Sequence, residues 1–373
     1  MDRVSLRQFI LLTFLLGLAM KMFNLPVLML RLCGRDAFIV LIAELIIDLI
    51  LLVLVVLVVV LSGGKGFYEL IENALGKVTA KVTAVVAGAY CMVKLYMMLV
   101  DVRLFFSNTV FPSTIGALHL IPLIVVLVYF ALKPLSSAGR LSEIFSLFVI
   151  VGMALLGVLT FPHVDFDGLR PLLADGPDKV FEGMSALFMW FGDFSLLLIL
   201  TGKTDGGKKA LFSLIAAVVS FICLTLFSAV LFASYGDVPE LLTYGHSISS
   251  ISQYAVGSFR FGRFDLVIFS LWLFAVFLSA GMMTLFFSRS MSYAFGAKAG
   301  RILTYALGIA MFAAIALTIN LNLAVEWGMV YFAIPSAVVQ YGLPVMGIVA
   351  LIAGRVRGSI RRKSENSEQK KQE

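Results

Sequence analysis

From Ala37 to Leu61 the chain carries no polar side chain except Glu44 and Asp48. A run of that length and character matches the hydrocarbon thickness of a bilayer, which takes about 20 apolar residues to cross as a helix. Comparable stretches lie at 7–29, 37–61, 79–107, 117–133, 141–161, 179–201, 208–234, 262–288, 300–320 and 328–354. They are continuous rather than alternating with a period of two, so the expectation is ten transmembrane helices and not a barrel. Composition agrees: 61% of residues are hydrophobic and 14% charged, against about 45–50% and about 25% in soluble domains. That balance excludes a soluble enzyme, a coiled coil and a disordered chain. The longest connection, 235–261, is too short for a further domain. Residues 1–354 therefore read as a single all-α integral membrane domain, and 355–373 as a basic cytoplasmic tail, disordered and lying beside anionic membrane lipid.

The first apolar stretch reads as a span and not as a cleavable leader, since it has no small-residue cleavage site and nine more spans follow. Orientation comes from Lys and Arg, which favour short cytoplasmic loops. With the N-terminus inside, only Arg31, Arg35, Arg170, Lys179, Arg260 and Arg263 fall outside, and Lys21, Lys94 and Arg103 fall within spans. The remaining 20 of 29 basic residues are then cytoplasmic, as are both termini. The net charge of +7 is this bias and needs no nucleic-acid partner.

A charge at the bilayer centre costs about 2.5–3.5 kcal/mol on insertion scales, so such groups face the bundle interior. The candidates are Lys21, Glu44, Asp48, Lys94, Asp101, Arg103, Glu182 and Asp193. Glu44 and Asp48 are four apart and share one helix face, and Arg103 is placed to neutralise one of them. Glu182 lies at a span edge, where water reaches it. Lys21 is bracketed by Gly17 and Pro26, and Asp193 follows Trp190, Phe191 and Gly192. Gly and Pro loosen a helix. Their placement in spans one and six of ten predicts two five-helix inverted repeats, about 7–161 and 179–354, with spans one and six discontinuous and a ligand held between the breaks. The candidate ligand-binding residues are Gly17, Met20, Lys21, Trp190, Phe191, Gly192 and Asp193. Lys94, Asp101, Glu44 and Asp48 are candidate coupling or structural charges. Lys21 pairs either with a ligand carboxylate or with Asp193.

Enzyme chemistry has little support. His119, His163 and His246 lie at or beyond span ends, and Cys33, Cys91 and Cys223 have no metal-ligand spacing. Gly63-Gly64-Lys65-Gly66 lacks the spacing and the Ser/Thr of a phosphate loop. No cofactor is expected. Phe67, Leu70, Ile71, Ala74 and Leu75 form an amphipathic stretch suited to the inner face. The segment Tyr235 to Phe261 is a candidate outer lid. Trp272 reads as packing and Trp327 as an interfacial anchor.

Several segments resemble a known family. Asp167-Gly168-Leu169-Arg170-Pro171-Leu172-Leu173-Ala174-Asp175-Gly176-Pro177 is similar to the segment that precedes span six in the permease-like B subunits of bacterial spore germinant receptors. Phe191-Gly192, the Lys-rich Gly207-Lys208-Lys209, Ser250-Ile251-Ser252-Gln253-Tyr254, Phe261-Gly262-Arg263-Phe264-Asp265 and Leu271-Trp272 resemble further landmarks of that family in order. The resemblance implies the fold of the amino acid–polyamine–organocation superfamily. It also implies a small-molecule germinant, commonly an amino acid, and A-type and C-type receptor subunits as partners in the spore inner membrane. The chain departs from the family in span one, where Lys21 stands and a second Gly is missing, and after span six, where Thr201-Gly202 replaces a Pro. A free-standing proton- or cation-coupled amino-acid transporter is the alternative reading.

Overall fold

A computed structural model describes residues 3–22, 25–107, 118–160, 173, 176–204, 207–235 and 264–372. Its elements are α1 (Leu6–Leu18), α2 (Leu25–Cys33), α3 (Ala37–Leu61), α4 (Phe67–Leu75), α5 (Lys77–Phe105), α6 (Ile121–Ala131), α7 (Leu135–Thr160), α8 (Pro177–Leu187), a 3-10 helix (Asp193–Leu200), α9 (Ser213–Tyr235), α10 (Phe264–Phe295), α11 (Ala297–Leu317), α12 (Leu321–Trp327) and α13 (Ala333–Gln372). Among the described residues the only β-contact is a bridge between Val4 and Thr204.

The protein is an all-α, multi-span membrane architecture. Eight described stretches are long and apolar enough to cross a bilayer. The expected first and fourth spans are represented by the shorter helices Leu6–Leu18 and Leu118–Ala131. In the first, the helix stops at Leu18 and gives way to a turn over 19–22 before α2 begins at Leu25. Pro26 stands in the first turn of α2, where a missing N–H is harmless, but it could not have continued the ladder of α1. The stretch 355–373, read from the sequence as a disordered tail, instead continues α13 as far as Gln372. Its Lys, Arg, Glu and Gln residues are good helix formers.

Helix faces sort as the bilayer requires. On α3, Ile46, Ile50, Val53, Leu57 and Leu61 point outward, while Glu44, Asp48, Leu51, Leu52 and Val55 are buried. The 3-10 helix is enclosed by α1, α3, α10 and α13. The short helix α4 buries Phe67, Leu70, Ile71 and Ala74 against α5 and α13, the face that its apolar spacing marks. Tyr68 of α4 stacks on Tyr293 of α10 with ring centroids 4.9 Å apart and its hydroxyl lies 2.6 Å from Ser290 Oγ. The Tyr293 hydroxyl donates to Glu72. The Val4 N–H donates to the Lys203 carbonyl at 2.9 Å, so the chain entering α1 and the chain leaving the 3-10 helix meet at the same end of the bundle.

Candidate functional site

The second interruption lies between α8 and the 3-10 helix. After a 3-10 turn at Phe188–Trp190 the chain is extended at Phe191 and left-handed at Gly192, with φ +80°. Only glycine takes that conformation without strain. Space demands glycine too, since a Cβ there would lie 2.1 Å from Gln340 Oε1. The released backbone groups are met by side chains. The Gly192 N–H donates to Asp48 Oδ1 at 2.9 Å. The Phe191 carbonyl accepts from Lys94 Nζ at 2.5 Å. The Gly192 carbonyl accepts from Ser195 N at 3.0 Å and Ser195 Oγ at 2.8 Å. The Phe188 carbonyl accepts from Gln340 Nε2 at 3.2 Å, and Gln340 in turn accepts from the Tyr90 hydroxyl at 3.2 Å.

Two ion pairs cross this break. Lys21 Nζ lies 2.8 Å from Asp48 Oδ2, and Lys94 Nζ pairs with Asp193 Oδ1; all four side chains are fully buried. The Lys21 ammonium also lies 5.5 Å from the Phe191 ring centroid and 5.2 Å from that of Phe194, within cation–π range. Lys21 comes from the turn between α1 and α2, so Asp48 ties that turn to the break at Gly192 through its two oxygens. Charges in so dry a place persist only when paired and hydrogen-bonded.

The structure gathers most of the sequence candidates and reassigns their partners. Lys21 and Asp193 both face the centre, but each has a different partner: Lys21 takes Asp48, and Asp193 takes Lys94. Arg103 does not neutralise Glu44 or Asp48. It donates to the carbonyls of Ile315 and Thr318, the latter at 2.9 Å, at the end of α11. Trp190 is fully buried and its Nε1–H donates to Asp101 Oδ2 at 3.1 Å. Met20 is buried and, with Ala19, Met98, Asp101, Val102 and Val276, lines a cavity of about 10 Å³, the room of about one water. Gly17 is a packing residue here, since a Cβ would lie 2.2 Å from Ser220 Oγ of α9. Glu44 is fully buried one turn from Asp48. Glu182 is exposed. Trp327 is 57% exposed. The candidate lid and the segments 167–172 and 250–263 lie outside the described residues, as does the side chain of Trp272.

Sequence reading missed Tyr90, Ser195 and Gln340. A signal existed for two of them. Tyr90 precedes Lys94 by four residues on one face of α5, and Gln340 is an uncharged polar group in an otherwise apolar run. Among the described residues no group of three or more His, Cys, Asp or Glu is placed to hold a metal ion.

A family model described as spore germination protein, a spore permease, matches residues 3–322. The chain belongs to the spore germination protein family. Curated proteins compared with it give no match. Family membership makes the chain a membrane permease with a germinant-receptor role rather than a free-standing transporter, and not an enzyme. The polar cluster of this spore permease lies where its helices are interrupted.

Proposed function

We propose that this chain binds a small zwitterionic germinant, an amino acid, between the breaks of spans one and six and passes the binding event to A-type and C-type receptor subunits in the spore inner membrane. In this reading the fold is ten spans in two inverted five-helix repeats, related to the amino acid–polyamine–organocation transporters, with both termini in the cytoplasm. Two interrupted helices side by side and the excess of basic residues in alternate loops support it.

One observation carries the proposal. Asp48 bridges the two breaks, accepting from the Gly192 N–H and pairing with Lys21. An amino acid supplies both halves of that pair: its carboxylate takes Lys21 and its ammonium takes Asp48. No net charge is added to the dry centre, whereas an anion or a cation alone would leave one buried charge unpartnered. Opening the pair loosens the restraint on Gly192, so the ligand favours a second arrangement of span six. Such a difference in affinity between two states is what a sensor requires.

The test is ligand binding to the full-length protein in nanodiscs, with a germination assay alongside. Lys21→Met and Asp48→Asn are expected to abolish the response to amino-acid germinants, and the double variant Lys21→Met/Asp48→Leu to regain stability without response. Full response in either single variant rejects the site. Concentrative amino-acid uptake by the lone chain rejects the sensing role.

A further inference from the structure

Among the described residues, every charged side chain at the two breaks has a partner except Glu44. Its carboxylate is fully buried on α3, and neither oxygen has a hydrogen-bond partner among the described residues. Two charges act on it: Asp48, one turn along the same helix, and Lys21 from the interrupted first span. The phenol of Tyr341, on α13, is the further titratable neighbour, and its hydroxyl is also without a hydrogen-bond partner. Lys21 is already committed to Asp48 at 2.8 Å. A third charge at this place, a bare carboxylate, would be desolvated, repelled by Asp48 and offered only an ammonium already committed to Asp48, an arrangement that buried groups avoid by becoming neutral.

We infer that Glu44 is a proton-binding site, occupied in this closed arrangement and emptied when the centre opens. The proton comes from water, forms an O–H bond on the Glu44 carboxylate and removes one negative charge; on opening it returns to water. The consequence runs through Lys21. With Glu44 neutral, Lys21 has one anionic partner, Asp48, and the Gly192 N–H stays bonded to the same carboxylate. With Glu44 ionised, two carboxylates compete for one ammonium, and the hold of Asp48 on the span-six break weakens. Proton release and opening of the break are then two sides of one equilibrium. The inference deepens the proposed ligand site, but it concerns the chain without ligand and is tested without one.

The full-length protein in lipid nanodiscs, at neutral pH and with no ligand, is expected to show the infrared C=O stretch of a protonated carboxyl group buried from water. Glu44→Gln, which mimics the neutral acid, is expected to remove that band and to keep the melting temperature of the parent. In a Trp272→Phe/Trp327→Phe background, Trp190 fluorescence reports on the break. It is expected to change with pH in the parent and to stay at the acid-side value throughout in Glu44→Gln. The inference is overturned if the parent has no such band, if the band or the fluorescence titration survives Glu44→Gln, or if Glu44→Gln fails to fold, which would mean that the charge itself is structural. Loss of the band together with absent amino-acid binding would leave the proton site standing and reject the ligand site alone.

Discussion

Lys94 and Asp193 show how little freedom a buried charge has. Each is fully enclosed and each is the other's ionic partner. Removing one leaves its partner charged and unpaired, which costs about 3–5 kcal/mol, while replacing both with apolar groups of similar volume is often neutral. Lys94→Met and Asp193→Asn are therefore each expected to lower the melting temperature of the purified protein sharply. Lys94→Met/Asp193→Leu is expected to regain most of the loss, less the hydrogen bond from Lys94 to the Phe191 carbonyl. Additive losses in the double variant would rule out the pair as a structural unit. Gly192 is a different kind of constraint. Gly192→Ala meets both the left-handed backbone, at about 1–3 kcal/mol of strain, and the Gln340 side chain. Adding Gln340→Ala is expected to relieve the clash but not the strain, so that thermal stability returns only in part. Full recovery would show that φ at this position is not what requires glycine. These residues also mark the limit of sequence reading. Lys21 and Asp193 stood out because an intramembrane charge beside Gly or Pro is rare and costly. Asp48 and Lys94 stood out as intramembrane charges too, but which charge pairs with which did not, since pairing depends on which helices touch and nothing local encodes that.

At the scale of elements, the end of the bundle expected to face the cytoplasm is closed by α4. Its apolar face was readable from spacing alone. Its attachment to α10 by Tyr68, Tyr293 and Glu72 was not, because those residues are more than 200 positions apart in the chain. Beneath this contact lies a cavity of about 170 Å³ lined by residues that include Tyr68, Thr201, Lys203, Arg289 and Tyr293. It reaches the end of the 3-10 helix, where the hydroxyl of Thr201, the next residue, is buried without a hydrogen-bond partner among the described residues. A cysteine at this position therefore reports whether α4 has moved. In a background freed of Cys33, Cys91 and Cys223, Thr201→Cys is expected to react slowly with a membrane-impermeant thiol reagent, and only from the cytoplasmic side. Tyr293→Phe removes a hydrogen bond to a charged group, worth about 1.5–3 kcal/mol, and is expected to speed that reaction several-fold. An unchanged rate would mean that α4 does not cover the cavity in solution.

For the whole molecule, the same scarcity of charge that predicts burial in lipid predicts orientation. Hydropathy located the spans because each must be continuous to satisfy its backbone in a bilayer. It was less able to say how a span that breaks would look: span one is a 13-residue helix, a turn and a 9-residue helix, and neither piece alone is long enough to cross. If the pieces together make one crossing, and if Leu118–Ala131 belongs to another, the number of crossings is even and both ends share a side. If just one of them fails to cross, the count becomes odd and the termini separate. On the ten-crossing reading, 20 basic residues fall on the side of the N-terminus, the C-terminal run Arg355 to Lys371 among them, which is the distribution the positive-inside rule favours. Epitope tags at the N-terminus and after Glu373 are thus expected to be protected together from protease added outside intact cells and to become cleavable together once the membrane is permeabilised. A tag exposed at one end only would show an odd number of crossings. It would then remove the proposed symmetry by which spans one and six are counterparts, and with it the reason for expecting the ligand between them.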